Sequence, residues 1–145
     1  MYKRIVLGYD GSESGQQALL DSREIAQWSH AEIVLVAVMP LPLTALGPEG
    51  GLYDETLEQE ERQRYQAILD AGVERLKGAG LRVSGEVLRG DPVYELANAA
   101  TRHEADLIVV GHKRQEGWAA RWWRGSVSKA LIEQASCSVL VVITT

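Results

Sequence analysis

The sequence predicts an α/β domain spanning residues 1–145, built on an open, parallel, five-stranded sheet in the order 3-2-1-4-5 with helices on both faces. Three observations predict it. Short apolar runs alternate with stretches of helical spacing in the order β-α-β-α-β-α-β-α-β, and alternation of that kind builds a mostly parallel sheet covered on both sides. Residues 33–38, IVLVAV, are continuously aliphatic, as in a strand buried on both faces. Leu81, Val83, Gly85 and Val87 instead alternate with polar residues, which places the third strand at an edge. A chain that winds outward to this edge returns to set its fourth strand on the far side of the first. Right-handed crossovers then put helices on opposite faces and open a crevice between the C-terminal ends of strands one and four.

The elements follow in order. Residues 4–9 form the first strand and end at Asp10-Gly11-Ser12. Gly15, Ala18, Leu19, Ser22, Ile25, Ala26 and Ser29 then recur at helical spacing, with Ser12 as the N-cap. After the second strand, residues 39–51 carry three prolines and three glycines and read as an excursion loop. Residues 52–77 are helical, with a buried stripe of Tyr65, Ile68, Leu69, Val73 and Leu76; the run Glu58, Glu60, Glu61, Arg62, Arg64 is read as its solvated side. Gly78-Ala79-Gly80 stops that helix. Gly90-Asp91-Pro92 opens the next one, with Asp91 capping and Pro92 at the first helical position. Residues 107–110 and 139–143 are the fourth and fifth strands, and residues 126–135 are a short helix between them.

The chain has 145 residues, 24% charged and 46% hydrophobic, with a net charge of −5. That balance argues against a nucleic-acid or anionic-membrane surface. No apolar stretch approaches the length of a membrane span and the N-terminus has no signal-peptide pattern, so a cytoplasmic location is expected. Cys137 is the only cysteine, read as a buried small hydrophobe, and it leaves no disulfide or all-cysteine metal site available within the chain.

The functional signal lies at residues 107–128, LIVVGHKRQEGWAARWWRGSVS. An apolar run ends in Gly111, a basic tryptophan-rich loop follows, and Gly125-Ser126 enters a helix. A helix start offers unpaired N–H groups and a positive dipole end to a phosphate, so Ser126, Val127 and Ser128 are candidate phosphate contacts. Across the predicted crevice, Gly8, Tyr9 and Asp10 end the first strand. Asp10 is placed to take a ribose hydroxyl or to stand near Mg²⁺ on the phosphates, with no metal site made by the protein alone. The main chain at Val38 can pair with an adenine edge, and His112 lies within reach of a phosphate. The alternative is purely structural: Ser126 caps its helix and Asp10 turns into the first one.

MYKRIVLGYDGSESGQQAL at the start, GDPVYELANAATRHEADLIVVG in the middle and GSVSKALIEQASCSVLVV at the end resemble the universal stress protein family. The resemblance implies a Rossmann-like fold of the adenine nucleotide alpha hydrolase kind. It also implies a homodimer formed by antiparallel pairing of the last strands, here Val139 to Ile143, and in many members binding of ATP, with AMP or ADP as related ligands. The binding pattern is Gly, two residues, Gly, nine residues, then Gly-Ser or Gly-Thr. Gly111 and Gly125-Ser126 match its ends; Arg114 stands where the second glycine belongs, and the loop is one residue longer. Arginine there either clamps the phosphates or fills their space. Members lacking the pattern bind no nucleotide and act through protein contacts.

Trp118, Trp122 and Trp123 interleave with Arg121 and Arg124 and are read as loop packing or dimer contact rather than a base-stacking surface. Trp28, His30 and His103 are read as structural. There is no Walker A sequence, no G-x-S-x-G elbow and no Ser/His/Asp set, so a binding and regulatory module is expected rather than an enzyme, weak ATP hydrolysis or phosphotransfer being the catalytic alternative.

Overall fold

Strand β1 (Arg4–Gly8) is the middle strand, and the rest of the sheet is laid on either side of it. The computed structural model describes residues 1–40, 55–113 and 126–144. After β1 come α1 (Glu13–Ser29), β2 (Glu32–Met39), α2 (Glu55–Gly78), β3 (Val83–Arg89), α3 (Pro92–Arg102), β4 (Leu107–Lys113), α4 (Ser126–Gln134) and β5 (Ser138–Thr144). The sheet order is β3-β2-β1-β4-β5, all parallel, as expected from the sequence.

Strand alternation divides the core in two. Ile5, Leu7, Ile33, Leu35, Leu107 and Val109 face α1 and α2, whereas Val6, Val34, Val36, Ile108 and Val110 face α3 and α4. β1, β2 and β4 are apolar at successive positions because both faces are covered, and each fully buried Leu or Ile contributes roughly 1.5–3 kcal/mol. β3 is half exposed, as its alternation predicts. On α1 the buried positions are Ser14, Gly15, Ala18, Leu19, Ser22 and Ala26, a mostly small stripe that lets the helix lie close to the sheet.

The helix starts behave as read. The Ser12 hydroxyl accepts from the Gly15 N–H at 3.1 Å, and the Asp91 carboxylate accepts from the Tyr94 N–H at 2.9 Å with Pro92 opening α3. Each cap is worth about 1 kcal/mol.

Several expectations need correction. β4 does not stop before Gly111: it continues to Lys113 because β5 goes on pairing, Gly111 with Val142, His112 with Ile143 and Lys113 with Thr144. Glu58 is not simply on a solvated face. It forms an ion pair with Arg89, fastening the first turns of α2 to the end of β3. Trp28 is 86% exposed and packs in no core. Cys137 is half-buried rather than buried; burial, then the nearby Asp106 carboxylate, pushes its thiol above the usual range. Residues 52–54 of the predicted second helix lie outside the described residues.

Candidate functional site

The sheet has a notch at its C-terminal edge. β1 makes its last pairs at Gly8, with Val36 on one side and Val110 on the other. β2 runs on from Val36 to Met39 and β4 from Val110 to Lys113, three further residues each. The central strand is thus shorter than both neighbours by roughly 10 Å at the usual rise per residue. This is the crevice expected at the switch point of the winding, and the turn after β1 forms its base.

Main-chain direction fixes what faces the notch. The Val36 carbonyl accepts from the Tyr9 N–H at 2.9 Å, so it points toward β1; the Met39 carbonyl accepts from the Gly90 N–H at 2.9 Å, so it points toward β3. Alternation between these two turns the N–H and C=O of Val38 toward the β1 side, beyond the last β1 pair. Among the described residues they meet no backbone partner there. Val38 therefore offers a donor and an acceptor side by side.

Asp10 is exposed at the base of the notch. Its Oδ1 accepts from the Ser12 N–H at 2.9 Å and from the Ser12 hydroxyl at 2.5 Å, an Asx turn that leads into α1. Both readings of Asp10 are therefore compatible: one carboxylate oxygen holds the turn, while no described residue donates to the other. Gly11 takes a φ of +77° in this turn, and an added Cβ would sit 3.0 Å from Ile68 of α2. α2 thus presses the turn into place from above.

The two glycines at the notch serve different helices. A Cβ on Gly111 would lie 2.2 Å from the Ser14 carbonyl oxygen and 2.9 Å from the Gly15 nitrogen, so this glycine exists to let the first turn of α1 cross directly over β4. A Cβ on Gly8 would point the other way, 3.1–3.2 Å from side-chain carbons of Leu96 and Val110. Parity sorts the remaining candidates. His112 follows Val110 on the α3/α4 face and is half-buried, while Ser126 and Val127 take the first two positions of α4 and Ser128 is buried.

Tyr9 falls on the opposite face. Its ring is 4% exposed in the α1/α2 core, where its hydroxyl accepts from Gln16 Nε2 at 2.5 Å and Gln16 in turn accepts from Arg75. Burial raises its pKa above the ordinary tyrosine value, against the opposing pull of the Arg75 charge. Only the main chain of Tyr9 remains at the notch. Arg114, Gly125, Trp118, Trp122 and Trp123 lie outside the described residues.

Sequence reasoning missed Ser14 and Gly15. Gly15 meets Asp10 so closely that a Cβ would lie 2.8 Å from Oδ1, and the Ser14 hydroxyl stands 3.2 Å from that of Ser12. The spacing of Asp10, Ser12 and Gly15 held this signal. Among the described residues, no three His, Cys, Asp or Glu side chains gather as a metal site, and no helix is long and apolar enough to cross a membrane.

Comparison with known proteins agrees with this architecture. A universal stress protein of Methanocaldococcus jannaschii is 32% identical over 145 residues, covering 98% of this chain and 82% of its own. A crystal structure of a universal stress protein family member from Burkholderia pseudomallei superposes with a TM-score of 0.77 at 27% identity, covering 97% of this chain and 96% of that one. A universal stress protein crystallised in complex with cAMP superposes with a TM-score of 0.73 at 28% identity, over 99% and 98% of the two chains. The sequence model of the Universal stress protein family matches residues 1–142. The chain belongs to the universal stress protein family.

Proposed function

We propose that this protein binds an adenine nucleotide, ATP with Mg²⁺ above others, in the notch between β2 and β4, and acts as a homodimeric regulatory module of the cytoplasm rather than as an enzyme. The observation that carries the reading is the pair of main-chain groups of Val38, without a backbone partner among the described residues, facing the gap that the short β1 leaves. An adenine ring presents a donor and an acceptor on one edge, which is the complement of an adjacent N–H and C=O. Asp10 stands below with one carboxylate oxygen open for a ribose hydroxyl, and α4 begins at Ser126 on the far side, its first N–H groups suited to phosphate. The cAMP-bound relative supports the ligand class. When bound, Mg²⁺ would screen phosphate charge, with Asp10 as the carboxylate proposed to stand near it.

The homodimer reading rests on the edge strand β5. Ile143 is 59% exposed and Ile132, on the adjoining α4, is 60% exposed, so an apolar border lies beside a strand edge that pairs with no described residue. A second copy pairing there from Val139 to Ile143 would cover both. No nucleic-acid or membrane partner is proposed, given the net charge of −5.

Titration calorimetry with ATP, with and without Mg²⁺, and with AMP and cAMP tests the reading. Saturable ATP binding is expected. Asp10→Asn keeps an acceptor for Ser12 while removing the charge, and should weaken binding about tenfold or more. Absence of binding at millimolar nucleotide would sink the proposal and favour a member that works through protein contacts. Arg114→Gly separates clamping from obstruction: weaker binding means the arginine clamps, tighter binding means it obstructs. Sustained turnover lost in Asp10→Ala would instead mark an enzyme.

A further inference from the structure

At the end of the sheet opposite the notch, a cavity of about 410 Å³ is lined by Lys3, Arg4, His30, Glu32, Arg82 and Glu104. A second cavity of about 320 Å³ shares His30 and Arg82 with it and continues between α1 and the end of α2, over Ala26, Ala31, Ala79 and Leu81. One half is charged, and the other sets Ala79 and Leu81 beside Gln27 and Gly80, with Ala26 and Ala31 buried at its floor.

The backbone marks the charged half. Among the described residues, only two that are not glycine have positive φ, His30 at 58° and Glu104 at 54°, and both line this cavity. Each follows a helix, where glycine is the usual residue because a Cβ is strained there. The chain therefore keeps an imidazole and a carboxylate at positions where glycine would relieve that strain, and strain of this kind collects at binding sites.

The charges sort into spent and available. Glu32 is held by Arg4 at 3.5 Å and Arg82 at 3.0 Å, while Arg4 also donates to the His103 carbonyl at 2.7 Å and Arg82 to the His30 carbonyl at 3.3 Å. Those groups cap α1 and α3. The Lys3 ammonium, the His30 ring and the Glu104 carboxylate have no described side-chain partner. Lys3 and His30 suit a carboxylate. Glu104 suits an ammonium.

We propose that this groove binds a free α-amino acid with an apolar side chain, its carboxylate against Lys3 and His30, its ammonium against Glu104, and its side chain along Ala79 and Leu81. The site is separate from the notch, so it stands or falls independently of nucleotide binding.

Leucine titrated into the full chain should bind saturably, with a Kd of about 1 mM or below. N-acetyl-leucine and leucinamide, each lacking one charge, should bind at least about tenfold more weakly. Glu104→Gln should bring leucine and N-acetyl-leucine to equal affinity, and Lys3→Met should narrow the difference between leucine and leucinamide, with ATP binding unchanged in both variants. His30→Gly should raise the melting temperature while weakening leucine. No saturable leucine binding at roughly ten times the expected Kd would overturn the proposal, as would binding that Glu104→Gln and Lys3→Met leave unchanged.

Discussion

The two faces of the sheet meet the notch in opposite ways. On the α1/α2 face, the contact at Gly111 is between backbones: the Ser14 carbonyl occupies the place of its side chain. On the α3/α4 face, contact at the same level is between side chains, Leu96 and Val110 over Gly8. Backbone cannot yield without moving a helix, whereas a leucine can change rotamer. The first face is therefore the fixed wall of the notch, and the second is the one that can adapt to an occupant. Asp10, held by Ser12 and crowded by Gly15, belongs to the fixed wall.

Substitution of the two glycines would break or sharpen this contrast most directly. Gly111→Ala should destabilise the protein by about 3 kcal/mol or more, because α1 must lift from β4; urea unfolding followed by circular dichroism measures it. Gly8→Ala should cost only about 1 kcal/mol in the same assay, since side-chain atoms can give way and alanine favours the strand. Equal losses at the two positions would refute the distinction. Ser12→Ala removes the α1 cap and the hydroxyl bond to Asp10, and should cost about 1 kcal/mol. It should also weaken nucleotide binding, as the fixed wall loosens.

The smallest effect belongs to Glu86, far from the notch on the edge strand. Burial alone would push its carboxyl up, but hydrogen bonds from Arg102 and His103, at 2.8 and 3.1 Å, outweigh it and hold the carboxyl below the ordinary glutamate value of 4.5. A depressed folded-state value stabilises the protein above the unfolded value and is lost as pH falls through the folded one. Glu86→Gln should therefore reduce stability near neutrality by up to about 1 kcal/mol for such a partly exposed pair. It should also flatten the loss of stability below pH 4.5, as read by melting temperature across an acid series.

Much of this was legible in the sequence because its causes are local. The aliphatic runs of β1 and β2, the caps Ser12 and Asp91, and the alternation of β3 all act within a few residues, and together they imply the sheet order. What was not legible depends on partners distant in the chain. The last residues of β4 are a strand only because Val142, Ile143 and Thr144 pair with them, and Glu58 finds Arg89 across 31 positions. Gly111 was noticed for the right place but the wrong neighbour, since the requirement comes from Ser14. The face of Tyr9 follows from counting two residues on from Leu7, and parity alone sends its ring to the core.

The position of β1 also bears on how the chain is made. It is the second segment's neighbour at once, through residues 32–36, but its other neighbour is not synthesised until residues 107–110 emerge. Until then the most buried strand of the finished protein has one side bare, and the first turn of α1 has nothing beneath it. Growth from the ribosome therefore cannot complete the domain by halves. The segments before β4 must wait for it to supply the second neighbour of β1 and the strand beneath α1, and the core is complete only when α4 and β5 bring in Leu131 and Val142.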